Sequence, residues 1–163
     1  MSKFIVCSDI HGRSGFLRKA LIKEKDVDGV IIAGDIELDP SEVADIIYED
    51  AKSSCVIHAV AGNCDAYSPA ASTLRPVDVF EINDSYKVFL THGYRYSVPR
   101  TDILSYAAEE QGCNIVIFGH THQFFRQKEA GILFLNPGAL RNGEYVILTV
   151  DDDRIDISRR SVL

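Results

Sequence analysis

Apolar residues in this chain fall in short runs, rich in valine and isoleucine and closed by Gly, Pro, Asn or Asp. Runs of four to eight residues that are apolar at nearly every position suit strands buried on both faces. They predict strands at residues 4–8, 30–33, 55–61, 79–82, 87–91, 115–118, 132–135, 145–150 and 155–159. The acidic triplet Asp151, Asp152 and Asp153 between the last two reads as a solvated hairpin turn rather than a cation site. Three other segments repeat at helical spacing. The first covers residues 14–24, with Phe16, Leu17, Ala20 and Leu21 on one side. The second has Asp39 as N-cap, Pro40 in the first turn, Glu42 closing a capping box, and an apolar face of Val43, Ile46, Ile47 and Ala51. The third runs from Thr101 to a C-terminal stop at Gly112 and buries Ile103, Leu104 and Ala107.

The first part of the chain alternates strand and helix, which implies a parallel sheet with helices outside. The last part is mostly strand, which implies a second, more antiparallel set. Two sheets packed face to face with helices outside cover every apolar face. The length of 163 residues suits a single domain spanning 1–163, large enough to bury a core without disulfides or structural zinc.

Charge narrows the partners. Seventeen basic against 24 acidic residues leave −7, the wrong sign for a general nucleic-acid binder or an anionic membrane surface. A small phosphorylated ligand held at one local cationic site remains compatible. No apolar run approaches the roughly 18 residues of a membrane span, and the opening residues carry no signal-peptide core. Cys7, Cys55, Cys64 and Cys113 form no Cys-x-x-Cys pair and read as free thiols, so the expected location is the cytoplasm.

The polar residues that stand out sit at or just after strand ends: Ser8-Asp9-Ile10-His11-Gly12, Gly34-Asp35, Gly62-Asn63-Cys64-Asp65, Thr91-His92-Gly93 and Gly119-His120-Thr121-His122. Such positions converge at the carboxyl edge of a parallel sheet, where open α/β folds bind ligands. Asp9/His11 and His120/His122 are spaced i, i+2, which in extended backbone puts both side chains on one face. The candidate metal ligands are Asp9, His11, Asp35, Asn63, His92, His120 and His122. Four of the five histidines belong to this set. The fifth, His58, lies inside a strand and reads as structural. Imidazole, carboxylate and amide donors without a required thiolate suit Mn²⁺, Fe²⁺, Zn²⁺, Ni²⁺ or Co²⁺. Seven ligands are too many for one ion that keeps an open position, and suit two ions sharing a carboxylate. Two such ions less two aspartates leave a charge of +2, which favours a bridging hydroxide and an anionic substrate.

The order Asp-x-His, Gly-Asp, Gly-Asn-x-Asp, His-Gly, Gly-His-x-His resembles that of the calcineurin-like metallophosphoesterases. The length, the Gly-Asn-Cys-Asp form and Asn136-Pro137-Gly138 are similar to their small YfcE-type phosphodiesterase branch. The resemblance covers residues 4–138. It implies a four-layer α-β-β-α sandwich and a dinuclear phosphoesterase acting on small phosphodiesters, with Mn²⁺ first among the expected ions. It further implies that Asp9, His11 and His122 bind one metal, that Asn63, His92 and His120 bind the other, and that Asp35 bridges them. Asp35, Asn63, His92, Cys64 and Asp65 would then form the catalytic group.

Two residues depart from the wider family pattern. Cys64 stands where many members carry a histidine that protonates the leaving group, and a thiol is the weaker donor. Tyr94 stands where relatives carry the second histidine of His-Gly-His. Asp65 either orients Asn63 or a ligating histidine, or closes an Asx turn. Asn136 either hydrogen-bonds near a metal ligand or makes a plain turn. Arg95, Arg100, Arg126 and Arg141, with Tyr94 and Tyr96, are candidates for phosphate contact, and Phe124 and Phe125 for stacking or packing. The rival readings are a protein-binding scaffold like the small retromer subunit, a phosphomonoesterase, and a nuclease. The resemblance further implies a homo-dimer or a higher homo-oligomer, with no interface marked in the surface pattern.

Overall fold

Val30, Ile31, Ile32 and Ala33 illustrate how the fold is built: all four are buried, yet alternate residues enter different cores. Val30 and Ile32 pack towards helices, whereas Ile31 and Ala33 pack into the space between two sheets. Only a strand covered on both faces allows this. The structure, a computed structural model, describes residues 1–52, 54–67 and 73–163. Its elements are β1 (Ser2–Cys7), α1 (Ser14–Lys23), β2 (Gly29–Ile32), α2 (Pro40–Asp50), β3 (Val56–Ala59), β4 (Val77–Glu81), β5 (Lys87–Thr91), α3 (Asp102–Glu110), β6 (Ile115–Ile117), β7 (Phe124–Glu129), β8 (Ile132–Pro137), β9 (Glu144–Val150) and β10 (Ile155–Ser161).

The strands form two five-stranded sheets, ordered β10-β9-β1-β2-β3 and β4-β5-β6-β8-β7. In the first, β1, β2 and β3 run parallel and β9 and β10 join antiparallel. In the second, β5, β6 and β8 run parallel and β4 and β7 are antiparallel edges. Three cores separate four layers. Leu17, Leu21, Ile46 and Ile47 of α1 and α2 pack on Ile5, Cys7 and Ile147. Val6, Val88, Leu90, Ile117 and Leu148 fill the space between the sheets. Leu104 and Ala108 of α3 close on Phe89, Val116, Phe118 and Phe134. This is the expected four-layer sandwich.

The details differ in places. β7 was not foreseen: Arg126, Gln127 and Lys128 are exposed, because an edge strand pairs on one side only. α3 buries Leu104 and Ala108, one turn apart, and leaves Ile103 42% exposed. Asp39 does cap α2, but through the N–H and hydroxyl of Ser41 at 2.9 and 2.7 Å rather than through the N–H of Glu42. His58 is structural as expected: its ring stacks on Phe80 at 3.6 Å and meets Asp78 at 3.2 Å. Among the described residues no helix is long and apolar enough to cross a membrane, and all four cysteines are free.

Candidate metal centre

Beyond the ends of β1 and β2 the two chains stay bonded: Asp9 N–H donates to Gly34 O, His11 N–H to Asp35 O and Gly12 N–H to Ile36 O, each at 3.0 Å. The backbone here is not extended, which corrects the i, i+2 expectation. Asp9, His11, Asp35 and Glu37 have φ of +55°, +48°, +50° and +53°, and His120 and His122 have +72° and +62°. A left-handed conformation costs a non-glycine residue about 1 kcal/mol or more. Six such residues around one point are held there by the surrounding bonds, and both members of each spaced pair still converge.

The distances define the cluster. Asp9 Oδ1 lies 3.2 Å from His122 Nε2, 3.7 Å from His11 Nε2 and 3.8 Å from His92 Nε2. Asp35 Oδ2 lies 3.2 Å from His92 Nε2 and 3.8 Å from His11 Nε2. His120 Nδ1 is 3.3 Å from His92 Nε2, and the Nε2 atoms of His11 and His122 are 3.4 Å apart. Asp9, His11 and His122 form one group of donor atoms within 4.8 Å of one another, and Asp9, Asp35 and His92 form another. The Cys64 sulfur joins a third group with His11 and Asp35.

Among the described residues, two buried side-chain polar atoms lack a hydrogen-bond partner, Asp9 Oδ1 and Asn63 Oδ1. Each such atom costs about 1–3 kcal/mol unless something satisfies it. Both belong to the expected ligand set. The imidazoles point the same way. His92 Nδ1 donates to Ala33 O at 2.7 Å and His11 Nδ1 faces Glu37 Oε1 at 2.7 Å, so the free Nε2 lone pairs turn inward. Asp9 Oδ1, unpartnered and facing three imidazole nitrogens, is satisfied by a cation between them, and this donor set fits divalent ions.

Glycines make the approach possible. A Cβ on Gly62 would collide with Asp35 Oδ1 and N, and one on Gly119 with Ser8 Oγ and Asp9 Oδ2. Ser8 Oγ donates to Asp9 Oδ2 at 2.8 Å and the His120 N–H donates to the same oxygen at 3.1 Å. Asp9 is thereby locked with its other oxygen inward.

The open alternatives resolve by contact. Asp65 is buried and accepts from the N–H groups of Ile36, Glu37 and Gly62 at 3.0, 2.8 and 2.8 Å. It orients neither Asn63 nor a histidine directly; it clamps the Asp35 loop to the Asn63 turn, a positioning place rather than a catalytic one. Asn136 donates to Gly119 O and Thr121 Oγ1, both at 3.0 Å, and accepts from Gly138 N, bracing the two-histidine loop and its own turn together. Burial pushes the Cys64 thiol up to about 12, reinforced by Asp35 and Glu37, so it is a neutral thiol and a poor acid. Burial also pushes the Asp35 carboxyl up, but His92 and the Cys64 N–H more than offset this and hold it at about 2. Burial and the neighbouring His92 lower His120.

The Tyr94 ring lies 6.1 Å from that of His92 and 6.4 Å from that of His120, with the Arg95 guanidinium 5.3 Å above it. The backbone N–H of Arg141 donates to Asp9 O at 3.0 Å. Arg100 instead pairs with Asp102, and Arg126 sits on the β7 edge. Phe124 and Phe125 pack into the inter-sheet and α3 cores rather than facing the cluster. Sequence reading gave Ser8 no role and missed Glu37. Glu37 could have been found: it stands two residues after Asp35, the spacing of the two recognised pairs.

A family model described as the calcineurin-like phosphoesterase superfamily domain matches residues 2–153. The probable metallophosphoesterase YsnB of Bacillus subtilis (strain 168) is 31% identical over 157 residues, 91% of this chain and 85% of that protein. A predicted phosphoesterase from Streptococcus pneumoniae TIGR4 superposes with a TM-score of 0.80 at 28% identity, over 99% of this chain and 90% of that one. Vps29 of Entamoeba histolytica, crystallised with Zn²⁺, shares the fold at 20% identity with a TM-score of 0.73, over 99% of each chain.

Proposed function

The chain belongs to the calcineurin-like phosphoesterase superfamily, and from that premise we propose that it hydrolyses small phosphodiesters using two divalent ions. The family brings phosphoric ester hydrolysis and divalent-metal dependence. The observation that carries the finer reading is the pair of unpartnered buried oxygens, Asp9 Oδ1 and Asn63 Oδ1, the first within 4 Å of the Nε2 atoms of His11, His92 and His122. Asp9, His11 and His122 would hold one ion, and Asn63, His92 and His120 the other. Asp35 Oδ2, within 4 Å of both His11 and His92, would lie between them. The donor set accepts Mn²⁺, Fe²⁺, Zn²⁺, Ni²⁺ or Co²⁺, and the family resemblance puts Mn²⁺ first.

When bound, two such ions lower the pKa of a water and neutralise charge on the phosphoryl oxygens. The chain's own residues prepare the ground. Ser8 and the His120 N–H fix Asp9, Ala33 O fixes His92, and Glu37 holds His11. These supports cost no reorganisation when substrate arrives. Arg95, stacked on Tyr94 beside His92, supplies a cation for a substrate phosphate. Cys64 lies beside Asp35 in the place of the family's histidine, and a thiol is the weaker donor to a leaving alkoxide. The reading therefore favours esters whose leaving group needs little protonation. The charge of −7 leads away from long nucleic acid.

Metal-stripped protein given Mn²⁺ should hydrolyse an aryl phosphodiester faster than the matching monoester, and EDTA should abolish turnover. Asp35→Asn should lose at least about 100-fold, roughly 2.7 kcal/mol of barrier. A faster monoester overturns the substrate class. If no ion restores turnover and Asp35→Asn equals wild type, the chain is a scaffold of the Vps29 kind and the reading fails.

A further inference from the structure

We propose that Glu37 is a positioning residue of the metal centre: its carboxylate holds His11 in the one tautomer whose Nε2 can bind an ion. His11 Nδ1 lies 2.7 Å from Glu37 Oε1. A carboxylate oxygen accepts, so Nδ1 carries a proton, and a ring with one proton then presents its lone pair at Nε2. That Nε2 faces His122 Nε2 at 3.4 Å, Asp9 Oδ1 at 3.7 Å and Asp35 Oδ2 at 3.8 Å, which is the interior of the cluster.

The contact is built rather than incidental. Glu37 adopts φ of +53°, a conformation a glutamate takes only under constraint. The constraint is Asp65, whose buried carboxylate accepts the N–H groups of Ile36 and Glu37. His11 is itself left-handed, and its N–H is held by Asp35 O. A line of bonds therefore runs from Asp65 through the backbone to Glu37, then to His11.

His11 is also distinct among the histidines of the cluster. His92 takes a neutral backbone carbonyl as its outer partner, whereas His11 takes a full charge. A carboxylate behind an imidazole fixes its orientation and raises its basicity as a ligand, and removing such a partner typically costs 10–100-fold in metal affinity. The Glu37 side chain is 41% exposed, so its loss leaves no buried charge unpaired and the fold should tolerate it.

The affinity half of this inference rests on the metal reading above; the tautomer half does not. Long-range ¹H–¹⁵N spectra of metal-free, ¹⁵N-histidine-labelled protein at pH 8 should show wild-type His11 protonated at Nδ1. Glu37→Ala should mix the tautomers. Glu37→Gln should keep Nδ1–H, because the amide oxygen still accepts. Calorimetric titration with Zn²⁺ should show Glu37→Ala weaker by about 10–100-fold and Glu37→Gln weaker by less than about tenfold, with all three proteins melting within a few degrees of one another. An unchanged His11 tautomer in Glu37→Ala overturns the proposal. So does a shifted tautomer with Zn²⁺ affinity within twofold of wild type. Should wild type bind no ion, the metal reading falls, and the metal-free spectra still decide whether Glu37 sets His11.

Discussion

Asp65 touches no atom of the metal cluster, yet its removal should be among the most damaging single changes. The carboxylate is 3% exposed and satisfies three backbone donors, at Ile36, Glu37 and Gly62. A hydrogen bond to a charged group contributes about 1.5–3 kcal/mol net, and a buried donor left unpaired costs about 1–3 kcal/mol. The three bonds share one loop and will not add fully. Asp65→Ala should therefore destabilise metal-free protein by about 3–5 kcal/mol. For a domain of this size that lowers the Tm by about 6–20 °C. Asp65→Asn keeps one oxygen for Glu37 and Ile36 but turns an NH₂ towards the Gly62 N–H, so about 2 kcal/mol should be lost. Urea unfolding in EDTA measures both. Zn²⁺ affinity should fall in both variants, because the freed loop carries Asp35. If Asp65→Asn unfolds within 0.5 kcal/mol of wild type, with Asp65→Ala losing under about 1 kcal/mol, the clamp is not a stabilising element and the reasoning fails.

Two further outcomes follow from the same geometry. Gly119→Ala should bind Zn²⁺ at least about tenfold more weakly, since the new Cβ would push Ser8 off Asp9 and swing its inward oxygen away; unchanged affinity in calorimetry would show that Asp9 needs no such support. Metal affinity should rise with pH. Burial pulls the His92 imidazole down, but Asp35 beside it more than offsets this and holds it above its ordinary 6.5. Below that raised pKa a proton must leave Nε2 before an ion can bind, which weakens binding by about tenfold per pH unit. Calorimetry in two buffers of different ionisation heat should detect the released proton; a flat affinity between pH 6 and 8 would refute it.

Much of the fold was legible because strands buried on both faces read as unbroken apolar runs, as in Val30 to Ala33 and Ile115 to Phe118. β7 was not, because an edge strand needs few apolar residues and Phe124–Glu129 carries two cations and an acid. The α3 register slipped for a related reason. Ile103 and Leu104 are equally apolar, and only the position of sheet two decides which of them faces it.

The cluster divides in the same way. Histidine, aspartate and asparagine beside glycine at five strand ends are visible in the amino-acid order, because chemistry restricts which residue types can hold an ion and the parallel sheet gathers strand ends at one edge. Their supporting partners are not visible. Glu37 reaches His11 across 26 positions, Asp65 reaches Glu37 across 28, and Asn136 reaches Gly119 across 17. Any carboxylate or amide in the chain could have filled those places on composition alone. The sequence by itself therefore determined the layers and the kinds of atoms at the site. Tertiary structure decided which oxygens are left without partners, which imidazole nitrogen faces inward, and which loops hold the left-handed backbone, since each depends on two loops meeting within about 3 Å.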